Sequence, residues 1–345
     1  MERYNMDQAR PLPGASTLTL LEVCAGAGGQ AVGLERAGFR HIALVENDPD
    51  CCRTLKLNRP TWCVIKENLC ELDSTPYRGV DLFAGGLPCP PFSIAGKQLG
   101  EVDERNLLST ALLHVRTVRP RALFLENVRG LLDQRFNGFR IRLESTLRDL
   151  GFRYDWRLYR ACDFGVPQLR PRLLIVALRA DLWPLFAWPE PILKRPPTVG
   201  DVLKDLMAEG HWRGAKAWAR AANNIAPTIV GGSKKHGGPD LGPTRARAAW
   251  KKLNVDGRGI ADRPPDESFV GMPRLTVRMV ARLQGFDDDW FISGRKTAAY
   301  RQVGNAFPPP VAQAVGFEIA AALLRDKRIS RVRHQAFRGR RNGMR

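Results

Sequence analysis

The sequence lacks an uninterrupted apolar run long enough to span a bilayer, and its first residues, MERYNMDQARPLPG, contain no apolar segment of the secretory type. These two absences argue against a membrane-spanning or a secreted protein. We therefore expect a cytoplasmic location with free thiols, because a reducing compartment disfavours disulfide bonds.

Cysteine is scarce and scattered, and the sequence shows no internal repeat. The 7 cysteines form no CxxC pair and lie near no cluster of histidines. Structural zinc sites are built from such closely spaced cysteine and histidine ligands. We therefore expect no metal site.

Acidic residues are too few to balance the basic ones. The 345 residues include 54 lysines and arginines against 35 aspartates and glutamates, which leaves a formal net charge of +19. A positive field of this size favours a polyanionic partner, most simply nucleic acid. A genome that favours arginine would contribute to the same excess, so the charge alone does not decide the function.

The first half of the chain alternates between apolar, strand-like runs and stretches with helical spacing. The strand-like runs are 18–23, 41–46, 63–65, 80–86 and 121–127. This alternation predicts an α/β fold with a parallel sheet covered on both faces. Ligands of such sheets bind at the carboxyl ends of the strands, where this sequence carries Glu46, Gly85 and Glu126.

The second half of the chain is less regular. Residues 152–179 predict two further strands around a turn, whereas proline, glycine, lysine and arginine dominate 185–272. The expected domains are a large domain over 1–180 completed by 300–326, a smaller loop-rich domain over 185–298, and a basic, disordered tail over 327–345.

A glycine-rich loop follows the first strand. LEVCAGAGGQ places Gly26, Gly28 and Gly29 between a strand and a helix, where glycine allows positive φ and close approach of a ligand. The next strand ends in Glu46, and a carboxylate there can accept both hydroxyls of a ribose. These features predict a nucleoside cofactor, and alone they fit a nicotinamide dinucleotide as well as S-adenosylmethionine.

The segment GGLPCPPFS (85–93) places Cys89 just after a buried strand and among three prolines. Pro88, Pro90 and Pro91 restrict φ and therefore stiffen the loop around the thiol. A nucleophile needs such a rigid support at the surface of a site. For an isolated cysteine, however, a buried structural role would be the better interpretation.

The next strand end favours the nucleophile. ENV presents Glu126 at the same edge of the predicted sheet. QLRPR then presents Gln168, Arg170 and Arg172 at alternate positions, which face one side of an extended segment. A thiol, an acid and two guanidinium groups would converge there on an anionic or heteroaromatic substrate.

Eight sequence blocks occur in a fixed order along nearly the whole chain. They are VCAGAGGQ, VENDP, GGLPCPPFS, DERNLL, ENV, QLRPR, PRLTVRMVARLQGF and YRQVGNAFPPPVA. In this order and spacing they resemble the DNA (cytosine-5) methyltransferases of the bacterial type. The resemblance implies a Rossmann-like large domain that binds S-adenosylmethionine, a smaller target-recognition domain, and double-stranded DNA as the partner.

The resemblance also implies the chemistry of the site. Cytosine C5 is too weakly nucleophilic to take a methyl group unaided, and addition of the Cys89 thiolate to C6 would make C5 enamine-like. Protonated Glu126 would hydrogen-bond N3 and the 4-amino group of the base. Arg172 would contact O2 of the same base, and Arg170 the nearby backbone. The target carbon is hidden in a duplex, so the base would be flipped out.

A further set of residues would bind the cofactor by the same resemblance. The set comprises Gly26, Gly28, Gly29, Glu46, Asn68, Leu69, Pro88, Leu108, Asn305 and Ala306. Within this set Leu108 would line the cofactor pocket, and Asn305 would bind the methionine end of S-adenosylmethionine.

Three positions depart from the family pattern. Cys24 stands where the family has a phenylalanine stacked on adenine, so adenine packing would differ or come from Ile65. Asn68 replaces an aspartate, and its amide oxygen can still accept a hydrogen bond from the adenine amino group. Pro90 replaces a glutamine. We expect altered cofactor affinity and loop stiffness with activity retained, because the catalytic residues are present.

The variable segment is expected to read the DNA sequence, and APTIV (226–230) resembles the family's threonine-containing recognition signature. The residues expected to contact DNA are Gln168, Thr228, Lys234, Lys235, His236, Arg245 and Arg247. An equally weighted alternative is that any one of these cations touches only phosphates.

Three other classes of function are open to test. A nicotinamide-dependent oxidoreductase fits the glycine loop but leaves the cysteine, acid and arginine without a joint role. An RNA (tRNA) cytosine-5 methyltransferase shares the core blocks, although the long variable segment favours a duplex. A DNA-binding regulator would not need the catalytic set. We expect a monomer in a restriction-modification or epigenetic system, with a cognate restriction endonuclease as a possible partner and with nucleoid association through DNA.

Overall fold

A seven-stranded sheet forms the centre of the protein, in the spatial order β3-β2-β1-β4-β5-β7-β6. The computed structural model describes residues 18–87, 107–191, 195–232 and 238–342, with side chains as far as residue 326. The strands are β1 Leu18–Val23, β2 Phe39–Glu46, β3 Val64–Lys66, β4 Leu82–Gly86, β5 Ala122–Asn127, β6 Phe152–Arg160 and β7 Pro171–Arg179.

The first five strands run parallel and the last two antiparallel to their neighbours. The predicted α/β fold is therefore confirmed, with an antiparallel pair at one edge of the sheet. β1 and β4 lie side by side although β2 and β3 separate them in sequence. The chain reverses its direction of winding there, which is where open α/β sheets bind ligands.

Helices cover both faces of the sheet. The helices are α1 Gly29–Arg36, α2 Pro49–Asn58, α3 Leu107–Val118, α4 Asn137–Asp149, α5 Val199–Ala208, α6 Ala215–Ala221, α7 Thr244–Lys251, α8 Val277–Gln284, α9 Lys296–Asn305 and α10 Pro309–Asn342. α1 and α10 pack on one face, and α3 and α4 on the other. Gly33 of α1 allows this close approach, because a Cβ there would lie 2.4 Å from the carbonyl oxygen of Pro309.

Residues 185–298 contain more regular structure than their composition predicted. Four helices, α5 to α8, lie within the described part of this region. Thr198 and Thr276 cap α5 and α8 by accepting hydrogen bonds from the backbone amides of Asp201 and Met279. The apolar faces of these helices share one hydrophobic cluster with the loop that follows β1. The region 185–298 is thus packed against the loop that follows β1, at the carboxyl edge of the sheet.

The last helix differs from the predicted disordered tail. α10 continues to Asn342, so residues 327–342 have a helical backbone. Arg121 donates hydrogen bonds to Asp326 at 2.8 Å and to Asp81 at 2.7 Å, and so fixes α10 at the amino ends of β4 and β5. By length and hydropathy alone Lys296–Asp326 could span a membrane, but 72% of its apolar window is buried inside the protein, as expected of a core helix.

Candidate active site

The glycine-rich loop that was predicted to bind a cofactor, here called the cofactor loop (24–28), leaves the carboxyl end of β1 and turns into α1. Gly26 has φ 56° and Gly28 φ 88°, a left-handed backbone that glycine adopts without steric cost. Gly29 is required for another reason, because a Cβ there would lie 2.0 Å from the carbonyl oxygen of Phe307. A Cβ at Gly26 would have no heavy atom within 4 Å. The loop is therefore packed against the protein at Gly29 and has open space next to Gly26.

Glu46, the last residue of β2, lies against this loop. Its Oε2 accepts a hydrogen bond from the amide of Gly26 at 2.7 Å, and its Oε1 from the amide of Asp48 at 2.8 Å. Burial raises the pKa of Glu46 above its ordinary value, and the two amides partly oppose that rise. The carboxylate is thus fixed beside an open backbone surface, where it can also accept the hydroxyls of a ribose.

An apolar wall stands next to the loop. Leu69 and Leu108 are buried in one cluster, and Cys24 and Ile65 pack against it half-buried. His114 holds this wall by donating from Nε2 to the carbonyl oxygen of Leu69 at 2.8 Å. Such a surface fits the flat, apolar faces of an adenine ring.

The departures at Cys24 and Asn68 can be placed on this wall. Burial raises the pKa of the Cys24 thiol, with the Glu46 carboxylate as the next cause, so Cys24 stays neutral. Asn68 is exposed, and its Oδ1 accepts a hydrogen bond from the amide of Cys70 at 3.1 Å. One lone pair of Oδ1 remains for a further donor. Pro88, Cys89 and Pro90 lie outside the described residues.

Glu126 and Arg172 form an ion pair at the carboxyl edge of the sheet. The Nε of Arg172 lies 2.7 Å from Oε1 of Glu126, and the two side chains are 15% and 12% exposed. Burial raises the pKa of Glu126, whereas the guanidinium groups of Arg172 and Arg170 lower it. The carboxyl is thus held in place next to a cation, and its pKa nevertheless stays above the ordinary value.

Gly86 brings β4 to this ion pair. Gly86 pairs with Glu126 in the parallel register, and a Cβ at Gly86 would lie 3.4 Å from Oε2 of Glu126. The chain continues from Gly86 through Leu87 towards Cys89. The strand that precedes the predicted nucleophile therefore ends beside the predicted acid.

Arg170, which was predicted to act in catalysis, is enclosed by the protein. Its side chain is 0% exposed. It donates to the carbonyl oxygens of Ile229 at 2.7 Å, Gly304 at 3.0 Å and Ala306 at 2.8 Å. The two terminal nitrogens donate to three protein acceptors, and the whole side chain is buried, so the guanidinium is not open to a base or a phosphate. Arg170 instead joins the start of β7 to Ile229 and to the end of α9.

Gln168, which was predicted to contact DNA, is likewise buried, and its side chain has protein partners. Its Oε1 accepts from the amide of Ile229 at 2.8 Å, and its Nε2 donates to Gln284 at 2.6 Å. Gln168 and Arg170 together hold both the amide and the carbonyl of Ile229. The motif QLRPR thus supplies one residue, Arg172, to the site and two residues to the support of 226–232.

The remaining predicted residues lie around that segment. Thr228 is half-buried, and exposed Asn305 donates from Nδ2 to the carbonyl oxygen of Gly232 at 3.2 Å. On α7, Arg245 is exposed, whereas the half-buried side chain of Arg247 passes close to Gly257. Lys234, Lys235 and His236 lie outside the described residues.

Sequence reasoning missed one residue of the cofactor loop's surroundings. The indole Nε1 of Trp290 donates a hydrogen bond to the carbonyl oxygen of Ala27 at 3.0 Å. No motif marks this position, which lies 263 residues from its partner. Within the described ranges, no group of three or more histidine, cysteine, aspartate or glutamate side chains could hold a metal ion.

Comparison of the sequence with known families gives one match along most of the chain. The C-5 cytosine-specific DNA methylase family matches residues 18–321. The chain is 55% identical over 313 residues to the Type II methyltransferase M.NaeI of Lentzea aerocolonigenes, covering 89% of this chain and 76% of that protein. It is 51% identical over 310 residues to the Type II methyltransferase M.NgoMIV of Neisseria gonorrhoeae, covering 89% and 99%.

Solved structures share the fold at lower identity. A putative DNA modification methyltransferase encoded within an Escherichia coli prophage superposes with a TM-score of 0.61 at 22% identity, covering 89% of this chain and 99% of that one. A mutant of DNMT2 from Spodoptera frugiperda superposes with a TM-score of 0.59 at 19% identity, with the same coverage. The chain belongs to the C-5 cytosine-specific DNA methylase family and is a DNA cytosine-5 methyltransferase.

Proposed function

We propose that the chain methylates one cytosine within a specific duplex sequence, with Cys89 as nucleophile, Glu126 as acid and Arg172 as base-orienting cation. The observation that carries this proposal is the ion pair between Glu126 and Arg172 beside the end of β4. Cys89 follows that strand end by three residues from Gly86. A thiol, an acid and a cation would therefore meet at one edge of the sheet.

The proposed chemistry assigns a separate task to each group. The Cys89 thiolate adds to C6 of the cytosine, and Glu126 delivers a proton to N3, where charge develops during the addition. Arg172 donates to O2 and keeps the ring oriented towards Glu126. C5, enamine-like in this adduct, takes the methyl group. Loss of the C5 proton to solvent then lets the C6–S bond break, which returns the Cys89 thiolate, and N3 gives its proton back to Glu126. The raised pKa of Glu126 supports its role as a proton donor.

The residues around the glycine loop fit S-adenosylmethionine. Glu46 would accept the ribose hydroxyls, Leu69 and Leu108 would contact adenine, and the open backbone at Gly26 would face the ligand. S-adenosylmethionine supplies the methyl group as an electrophile when bound. Asn305 and Ala306 would also contact the ligand, because they lie next in sequence to Phe307, whose carbonyl oxygen packs against the loop at Gly29. Gly28 shapes the turn at the start of α1.

The positively charged chain is proposed to contact DNA, with region 185–298 reading the target sequence. The excess of 19 positive charges favours phosphate binding, which offsets the cost of extruding a base from the duplex. Thr228, Arg245 and Arg247 lie in the described part of the region proposed to read the target.

The wider system is inferred from the relatives. The two relatives named above, at 55% and 51% identity, are Type II methyltransferases, so we place this chain in a restriction-modification system with a cognate endonuclease. We further propose a monomer that acts in the cytoplasm and associates with the nucleoid through DNA. The alternative of an RNA cytosine-5 methyltransferase has less support from these relatives.

Bisulfite sequencing of plasmid DNA from cells that express the chain tests this function. Cells with the native protein should protect one cytosine of a recurring short sequence from conversion. Cells with Cys89→Ser should protect none. Complete conversion in both strains, with the native protein folded and abundant, would reject duplex DNA methylation, whereas methylated transfer RNA from the same cells would favour the RNA alternative.

A further inference from the structure

The indole of Trp290, in the region 185–298, packs against the cofactor loop. Trp290 lies between α8 and α9 and is 7% exposed. Its Nε1 donates to the carbonyl oxygen of Ala27 at 3.0 Å, and both atoms of this hydrogen bond are buried. The carbonyl of Ala27 thus has a partner inside the protein although it belongs to a glycine-rich turn.

The same indole fits against the next residue of the loop. A Cβ at Gly28 would lie 2.8 Å from Cζ2 of Trp290, and Gly28 has φ 88°. Phe286 also stacks on the indole, with ring centroids 6.2 Å apart and an interplanar angle of 19°. The turn and the indole are therefore packed against each other, with no room for a side chain on Gly28.

The segment that carries Trp290 is itself fixed on α2. Asn58 donates to the carbonyl oxygen of Phe291 at 2.7 Å and accepts from its amide at 2.8 Å. The amide of Ser293 donates to Oγ1 of Thr54 at 2.9 Å. Arg59 places its guanidinium 5.3 Å from the centre of the Trp290 ring. The indole is therefore held by contacts with α2 and Arg59 in addition to its contacts with the cofactor loop.

These contacts bear on ligand affinity through conformational entropy. Glycine loses more backbone freedom than any other residue when it is ordered, and the loop has three glycines in four positions, Gly26 to Gly29. A loop that is already ordered binds its ligand without that loss. We propose that Trp290 is a positioning residue that holds the turn at Ala27 and Gly28 in its ligand-binding form. This inference rests on the proposed cofactor site.

The test compares the native protein with Trp290→Phe, which keeps an aromatic ring for Phe286 and removes the N–H donor. The expected result is an S-adenosylmethionine Kd about fivefold higher by calorimetry, the size of one neutral hydrogen bond. Hydrogen exchange at the amides of Gly26 and Gly28 should be faster in the cofactor-free variant. The Kd for duplex DNA and kcat at saturating S-adenosylmethionine should change less than twofold.

Phe291→Ala is the matched control, because Phe291 is the adjacent aromatic residue and its side chain is 64% exposed. It should leave the Kd for S-adenosylmethionine and the exchange rates unchanged. Should Trp290→Phe fail to fold, replacement of the indole by a benzothiophene removes the N–H and keeps the shape.

The inference is overturned by native exchange rates at Gly26 and Gly28 together with a native Kd in a folded variant. An equal effect of Phe291→Ala would also overturn it. Failure of the native protein to bind S-adenosylmethionine would instead count against the proposed cofactor site, and the exchange rates of the cofactor-free proteins would still decide the role of Trp290.

Discussion

Arg172 places its Nε 2.7 Å from Oε1 of Glu126, beside the last residue of β4. The pair is assembled by an antiparallel strand, β7, that lies next to parallel β5. Burial raises the pKa of Glu126 and the charge of Arg172 lowers it. The arginine therefore sets how far the carboxyl retains its proton, as well as where the carboxyl lies.

Arg172→Gln should move the pH dependence of methyl transfer. Glu126 is proposed to act in its protonated form, so the rate is present below its folded pKa and is lost as pH rises through it. Removing the positive charge raises that pKa further, and the fall in kcat/KM should shift to higher pH. Glu126→Gln is the control, with a rate loss on the order of 10²–10⁴ and no such fall. A fall that moves to lower pH in Arg172→Gln would contradict this assignment.

Arg170→Ala and Arg172→Ala should fail in different ways. Arg170→Ala leaves three buried carbonyls without their charged donor and should cost at least about 3 kcal/mol in the free energy of unfolding. Arg172→Ala leaves the Glu126 carboxyl without its cation, but the raised pKa of Glu126 lets that carboxyl take up a proton and become neutral. This variant should therefore stay folded, and it should lose activity because Arg172 no longer orients the base. Urea denaturation and methyl-transfer assays measure the two effects. Equal stability of the two variants would remove the distinction between support and site.

Binding of S-adenosylmethionine should weaken at acid pH because of Glu46. The ionised carboxylate accepts the hydrogen bonds, and its raised folded pKa means that affinity is lost as pH falls through a value above 4.5. Glu46→Gln should weaken binding about tenfold or more at neutral pH and remove this dependence. Calorimetry between about pH 4 and 8 measures both. An affinity of the native protein that does not vary over this range would speak against Glu46.

Arg245→Ala tests whether α7 reads bases. A bidentate contact with guanine is worth about 1–3 kcal/mol of discrimination, so its loss should relax the methylated sequence at one position. Loss of a contact with phosphate alone should weaken binding to all sequences and reduce the salt dependence of log K by about one unit.

Arg247→Ala should be compared with Arg245→Ala, since the half-buried side chain of Arg247 passes close to Gly257. Exposed Arg78, which precedes β4, is the control. An unchanged target after exchange of 185–272 with a relative's segment would place recognition elsewhere.

The sheet and the acids at its edge follow from local sequence patterns. Apolar runs that end in Glu46 and Glu126 predicted β2 and β5, because the pattern of a buried parallel strand is contained in the strand itself. The carboxyl ends of parallel strands meet at one edge, which placed both acids near the glycine loop. Their proposed roles in binding and catalysis stay predictions.

Other features depend on partners that are remote in sequence. Arg170 and Arg172 stand at alternate positions of QLRPR, so the sequence treats them alike. Arg170, however, donates to the carbonyl oxygens of Ile229 and Gly304, which lie 59 and 134 residues away in sequence, and it is buried there. Alternation along a strand predicts a shared face and does not predict which part of that face another segment covers. The contact of Trp290 with Ala27 is hidden from the sequence for the same reason.

Attack by Cys89 on cytosine C6 is the central claim, and a duplex with 5-fluorocytosine at the target position tests it most directly. Fluorine cannot leave as a proton does, so the elimination that frees the enzyme is blocked after methyl transfer. The native protein with S-adenosylmethionine should form a protein–DNA adduct that survives denaturation, with peptide mapping to Cys89, and Cys89→Ser should form none. A preparation that methylates ordinary DNA and yields no adduct would contradict the mechanism.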